Sequence, residues 1–134
     1  MKPVFAFLLA GCLADHHPTN EPAPSSLVGT WRLIEDSALA LPKKPSNIIL
    51  VLDNKGQFRF FLKKHLEAHG TYFINRSSTC NSKFADRDFL ILNSIANIYA
   101  PDGIYKLRGD TLIIDSTKDG CAFDASIRTY LRVP

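Results

Sequence analysis

Asn47-Ile48-Ile49-Leu50-Val51-Leu52-Asp53-Asn54-Lys55-Gly56-Gln57-Phe58-Arg59-Phe60-Phe61-Leu62-Lys63-Lys64 is the stretch whose reading decides the fold. Two runs rich in β-branched, aliphatic and aromatic residues flank one short polar break, the pattern of two strands and a turn. Gly56 can take the left-handed conformation that a three-residue hairpin loop with a bulge demands. Folding the chain there sets Leu50 and Leu52 opposite Phe58 and Phe60 on one face and sends Gln57, Arg59 and Lys63 to the other.

The pattern continues outward from this hairpin. A second turn at Arg108-Gly109-Asp110 sets Tyr105 and Leu107 beside Leu112 and Ile114 by the same parity. Short apolar or alternating runs separated by turn residues fill 27–134, and none keeps a helical period. They predict eight strands, near 28–36, 47–53, 57–64, 70–75, 88–93, 103–107, 111–116 and 126–133. The fold class is all-β, a meander of consecutive antiparallel strands. Eight such strands close into an up-and-down barrel without exposed edges, just wide enough to be filled by side chains or to hold one small ligand. Short helices fit in 36–45 or 94–100 without changing the class. Pro42 and Pro45 predict an unpaired connection over 37–46, a loop placed to cover one mouth of the barrel.

The first residues carry a different message. Met1 and Lys2 give a positive start, an apolar run follows from Val4 to Ala10, and Gly11-Cys12 ends it. This is the layout of a secretory signal, far short of the roughly 20 apolar residues needed to cross a bilayer. Leu9-Ala10-Gly11-Cys12 resembles the lipobox of bacterial lipoproteins. The resemblance implies cleavage before Cys12, acylation of its thiol and anchoring by at least two acyl chains. An eleven-residue signal is short for this type, which a start codon further upstream would explain. Residues 13–26 hold three Pro, two His, two Ser and two acidic residues, a polar tether unable to bury enough surface to order itself. His16 and His17 lie in it without further ligands, so a solvated linker is read in place of a metal site. The organisation is therefore a signal (1–11), a lipidated cysteine with tether (12–26) and one barrel domain (27–134). Leu13 is not the aspartate that retains enterobacterial lipoproteins at the inner membrane, so the expected location is the cell envelope, outer membrane ahead of inner.

With Cys12 assigned to lipid, two of the three cysteines are left. In an exported protein Cys80 and Cys121 are expected to form a disulfide, two free thiols being the alternative. Both lie among Ser, Thr, Asp, Asn and Gly, the composition of loops.

Leu27-Val28-Gly29-Thr30-Trp31-Arg32-Leu33 at the start of the first strand, with Arg128 and Arg132 in the last, resembles the lipocalin-like group. Gly70-Thr71-Tyr72 and Tyr105-Lys106-Leu107-Arg108-Gly109-Asp110-Thr111-Leu112 are similar to strand signatures of small bacterial lipocalin-like lipoproteins. The resemblance implies barrel closure by Gly29 and Trp31, with an arginine of the final strand, Arg128 or Arg132, packed across the indole. A core aromatic is the simpler reading of Trp31, and the two coincide. The chain departs from true lipocalins in lacking a Thr-Asp-Tyr turn motif, which weakens the case for specific ligand carriage. Candidate cavity-wall residues, from parity, are Trp31, Leu50, Leu52, Phe58, Phe60, Tyr105, Leu107, Leu112 and Ile114.

The remaining chemistry is sparse. Net charge is +3 and thinly spread, densest at Lys43-Lys44 and Lys63-Lys64, so no stripe suited to nucleic acid forms. His65, Glu67 and His69 have metal-pair spacing on a helix but are read as straddling a turn. Asp86-Arg87-Asp88 reads as a charge run at a strand entry. Ser77-Ser78 has no glycine-rich elbow. No catalytic residue, metal or cofactor is expected, and the chain reads as a non-enzyme. The expected function is a membrane-anchored, lipocalin-like lipoprotein that binds a small apolar ligand or serves as a structural envelope module. The alternative is a protein-binding periplasmic lipoprotein resembling lysozyme inhibitors, disfavoured by the lack of an acidic face.

Overall fold

The computed structural model describes residues 24–38, 42–43, 47–76, 87–95, 102–117 and 125–134. A single 3-10 turn, Ser25–Leu27, leads into β1 (Gly29–Ala38). There follow β2 (Pro42–Lys43), β3 (Ile48–Leu52), β4 (Gln57–Leu62), β5 (His65–Asn75), β6 (Phe89–Ser94), β7 (Gly103–Arg108), β8 (Thr111–Asp115) and β9 (Ser126–Val133). Every pairing is antiparallel: β3 to β9 pair in sequence order, β2 lies against β1, and β1 pairs with both β3 and β9. Setting aside the two-residue β2, eight strands thus form a closed meander barrel, with no free edge along the paired stretches of β1 and β9.

The hairpin that decides the fold forms as its residues dictate. Asp53 N–H donates to Gln57 O and accepts from Gly56 N–H through its own carbonyl, while Asp53 Oδ1 takes the Lys55 and Gln57 amides at 2.9 Å each. Gly56 sits at φ +74, where a side chain would be strained. Leu50 pairs with Phe60 and Leu52 with Phe58, both pairs pointing inward. In the second hairpin, Tyr105 pairs with Ile114 and Leu107 with Leu112 around Gly109 (φ +56).

Three expectations change. The fifth strand begins at His65, not at Gly70, because β4 turns back on Lys63 and Lys64, both left-handed at φ 50 and 71. Two successive positive-φ residues are what a two-residue hairpin of matching twist requires, here supplied without Gly or Asn. His65, Glu67 and His69 therefore lie along a strand, where Phe60 pairs with Ala68 and Phe61 with Leu66, leaving Glu67 as the extra residue of a bulge. The 37–46 connection is not wholly unpaired: Pro42 and Lys43 pair with Ser37 and Asp36, a two-residue edge position that a residue with no N–H tolerates. Residues 36–38 are strand rather than helix, and Ser94 ends β6. The signal, Cys12, the tether up to residue 23, Cys80 and Cys121 lie outside the described residues.

The core fills the barrel. Trp31, Leu33, Leu50, Leu52, Phe58, Ala68, Tyr72, Ile74, Leu90, Leu92, Leu112, Ile114 and Tyr130 form one buried cluster with Leu27 beneath it. Each large apolar side chain so buried contributes about 1.5 to 3 kcal/mol relative to exposure. Outward positions carry Arg32, Glu35, Arg59, His69, Lys106 and Arg108. An apolar inside and polar outside is the reverse of a membrane-spanning barrel.

Candidate functional site

The strands run alternately between two unlike ends. One end holds the start of β1, the β3–β4 and β7–β8 turns and the end of β9. Here Trp31 is fully buried, and its Nε1–H donates to Leu27 O at 2.9 Å across the 3-10 turn. The Arg132 guanidinium lies 4.2 Å from the indole centroid. Its Nη1 donates to Val28 O at 2.8 Å and Nη2 to Ser26 O at 2.7 Å, while Nε stands 3.4 Å from Asp110. The planar fork ties the incoming chain to the last strand while its face covers the tryptophan, a combination lysine cannot supply. Gly29 makes room for this: a Cβ there would stand 2.5 Å from Arg132 Nη1, at a backbone φ of +155. Of the two arginines weighed for this contact, Arg132 makes it.

Arg128 sits two inward positions nearer the other end. It pairs with Asp36 across β1 and β9, Nε to Oδ2 at 3.4 Å, both side chains largely buried. Beside them Ser116 Oγ donates to Ser126 O, and the Ser126 amide donates back to Ser116 Oγ. The bulge at Ile34 turns Asp36 inward: Leu33 pairs with Tyr130 and Glu35 with Thr129, which shifts parity by one. Among the described residues, Asp36 Oδ1 and Ser126 Oγ are buried without a hydrogen-bond partner. The interior is thus apolar through most of its length and polar toward the far mouth.

All nine candidate cavity residues point inward. Trp31, Leu50, Leu52, Phe58, Leu112 and Ile114 are buried, and Phe60, Tyr105 and Leu107 pack half-buried against them. The structure brings them together as one another's packing partners. His69 pairs with Arg59 on the outer side of β5, and His65, past the bulge, pairs with Leu62 at the exposed start of the strand. Among the described residues, no three His, Cys, Asp or Glu side chains gather as metal ligands.

Two tyrosines have perturbed acidity. Tyr72 is raised by burial and then by the Asp53 carboxylate, and its hydroxyl donates to Asp53 O at 2.6 Å. Tyr105 is raised by burial and by Asp88, against an opposing pull from Arg76. Both stay neutral phenols near pH 7.

Sequence reasoning missed the outer wall. Phe89 and Ile104 pair with each other on outward positions of β6 and β7, yet are only 2% and 8% exposed and stand apart from the interior cluster. A cavity of about 240 Å³ adjoins them, lined by Arg87, Ile104, Lys106, Arg108, Ile113, Asp115 and Ile127. A second, of about 260 Å³, lies over β4 and β5, lined by Gln57, Arg59, Leu66, His69, Thr71, Ile95 and the edge of Phe58 seen past Gly70. Both open on the outside of the barrel. The signal was present in the alternation of Ile104, Lys106 and Arg108 with Ile113 and Ile127, but only the register assembles it.

The class that fold and site define is an eight-stranded antiparallel meander barrel plugged at one end by a tryptophan–arginine stack, an architecture compatible with a lipocalin-like fold. Comparison with protein-family models, with curated proteins and with solved structures finds no match to this chain.

Proposed function

We propose that this chain is a lipocalin-like lipoprotein of the bacterial cell envelope, anchored through acylated Cys12, that binds its target on the outer wall of the barrel in place of carrying cargo inside. The observation that carries the reading is the position of free space. The predicted cavity wall packs on itself, while the two cavities lined by described residues alone lie on the outside. A filled eight-stranded barrel is a rigid scaffold, and rigid scaffolds present binding surfaces at little ordering cost.

The plug suits this role. A tether from Cys12 would join the barrel at Ser25–Leu27, where Arg132 holds the entering chain by two carbonyls, so pull on the anchor is met by that contact. The far mouth and side walls then face away from the anchor. A disulfide between Cys80 and Cys121 fits an exported location, and Leu13 after the acylated residue favours the outer membrane. The exposure of Ile34, Ile127 and Leu131 on the β9–β1 face supports a second reading, an envelope protein as partner.

Native mass spectrometry of the full chain purified from its own host tests the proposal. The expected species begins at Cys12, carries acyl chains and lacks the mass of a retained apolar molecule. An unacylated cytoplasmic chain refutes the anchoring. A small apolar molecule that survives purification, and that Leu112→Trp expels by filling the interior, refutes the outer-wall reading.

A further inference from the structure

We propose that the cavity on the outer face of β7, β8 and β9 is a binding site for a single-chain amphiphilic carboxylate. This rests on the outer-wall reading above and names the ligand class it serves. The register lays the site out. Ile104, Asp115 and Ile127 form one row across the three strands, Lys106 and Ile113 pair in the next, and Arg108 begins the third. The isoleucines make an apolar floor, with Ile127 still 38% exposed. Arg87, just before β6, joins Lys106 and Arg108 at the rim.

Charge picks the ligand. Among the described residues, none of Arg87, Lys106 and Arg108 forms a salt bridge. The one carboxylate in the lining, Asp115, already accepts the Thr117 amide and hydroxyl. Three unpaired cations around an apolar floor favour an anionic head on an apolar body, and arginine's fork matches a carboxylate in two-point contact. Volume narrows the choice. About 240 Å³ is below the roughly 300 to 1,000 Å³ of sites for drug-sized ligands, so one short chain fits and a two-chain lipid does not.

The test is titration of the full-length chain with decanoate, followed residue by residue through backbone amide NMR shifts, with 1-decanol as the uncharged analogue. Decanoate is expected to shift Ile104, Lys106, Arg108, Ile113 and Ile127. Its affinity should fall about tenfold in Lys106→Gln/Arg108→Gln and weaken as salt screens the rim. Decanol should bind at least tenfold more weakly than decanoate. Both substituted residues are exposed, so the variant keeps its melting temperature. Equal affinity for decanol, or unchanged affinity in the variant, overturns the site. Shifts on Arg59, His69 and Thr71 overturn it in favour of the other outer cavity and leave the outer-wall reading standing. Shifts on Leu50 and Leu112 overturn both. Binding to phosphatidylglycerol vesicles without any decanoate shift overturns the site in favour of a membrane-contact face.

Discussion

Arg132→Ala tests the plug that the fold and the proposed anchoring both depend on. The substitution removes the guanidinium 4.2 Å from Trp31, a contact of about 1 kcal/mol for a partly desolvated pair. It also removes charge-assisted hydrogen bonds to Val28 O and Ser26 O, worth about 1.5 kcal/mol for the half-buried one and less for the exposed one. The Asp110 partner is mostly exposed and adds at most a few tenths. The sum is about 2 to 4 kcal/mol, which for a domain of this size lowers Tm by roughly 9 to 18 °C. Trp31 is the only tryptophan, so fluorescence reports the plug directly. Urea titration should show the lost stability, and native emission should shift to the red as water reaches the indole. Arg132→Lys should fall between, since an ammonium keeps the charge but cannot hold both carbonyls in one plane. A loss below about 1 kcal/mol with unshifted emission would refute the account, leaving Trp31 an ordinary core residue.

Within the barrel, Asp36→Ala leaves Arg128 buried without its carboxylate and should cost roughly 3 to 5 kcal/mol, whereas Asp36→Leu/Arg128→Met should come close to neutral; urea midpoints for the cycle decide, and a harmless single variant would contradict the pairing. Because burial and Asp53 raise Tyr72 above the ordinary tyrosine value near 10, folding favours its neutral form, and this stability is intact below that value and lost as pH rises through the higher folded one. Midpoints measured from pH 8 to 11.5 should fall at the alkaline end, less steeply in Tyr72→Phe, with Tyr105 supplying the remainder. Thiol titration of the unfolded, unreduced chain from its host should find no free thiol on Cys80 or Cys121, and reduction should cost roughly 3 to 4 kcal/mol. The register makes the bond reachable. Asn75, Phe89, Ile104 and Asp115 lie in one row, so Asn75 and Asp115, where the two connections leave, stand three strand spacings or about 14 Å apart across the sheet. Each cysteine lies four residues beyond a described end, Arg76 or Thr117, a reach of about 13 Å. Two free thiols would remove that constraint from the account.

What could be read in advance was whatever repeats with the period of a strand. The positions of Leu50, Leu52, Phe58 and Phe60 follow from one glycine turn, because a two-residue period carries facing along the chain once a hairpin is fixed. Parity fails where the backbone inserts a residue. The Ile34 bulge sends Asp36 inward to Arg128, and nothing in Leu33-Ile34-Glu35-Asp36 announces it. The Lys63-Lys64 turn is silent in the sequence because its left-handed pair is built from lysines, which pay for that conformation and carry no glycine or asparagine turn signature. Both outer cavities were out of reach for a related reason. Their residues come from several strands, and register, which no single segment encodes, decides which side chains share a patch.

The two faces of the sheet therefore do different work, and the division follows from size. Eight strands enclose about the volume their own inward side chains occupy. With Trp31, Phe58 and Tyr130 among those side chains, little is left for a guest. Any increase in interior room would have to come from smaller residues, at about 2 to 5 kcal/mol for each large aliphatic truncated to alanine. The outer wall carries no such penalty: Ile113, Ile127 and Lys106 can vary without opening the core, so binding chemistry placed there is separable from stability. That separation predicts opposite behaviour for two sets of variants. Substitutions at Leu50 or Leu112 should move stability and spare decanoate binding, and substitutions at Lys106 or Arg108 should do the reverse.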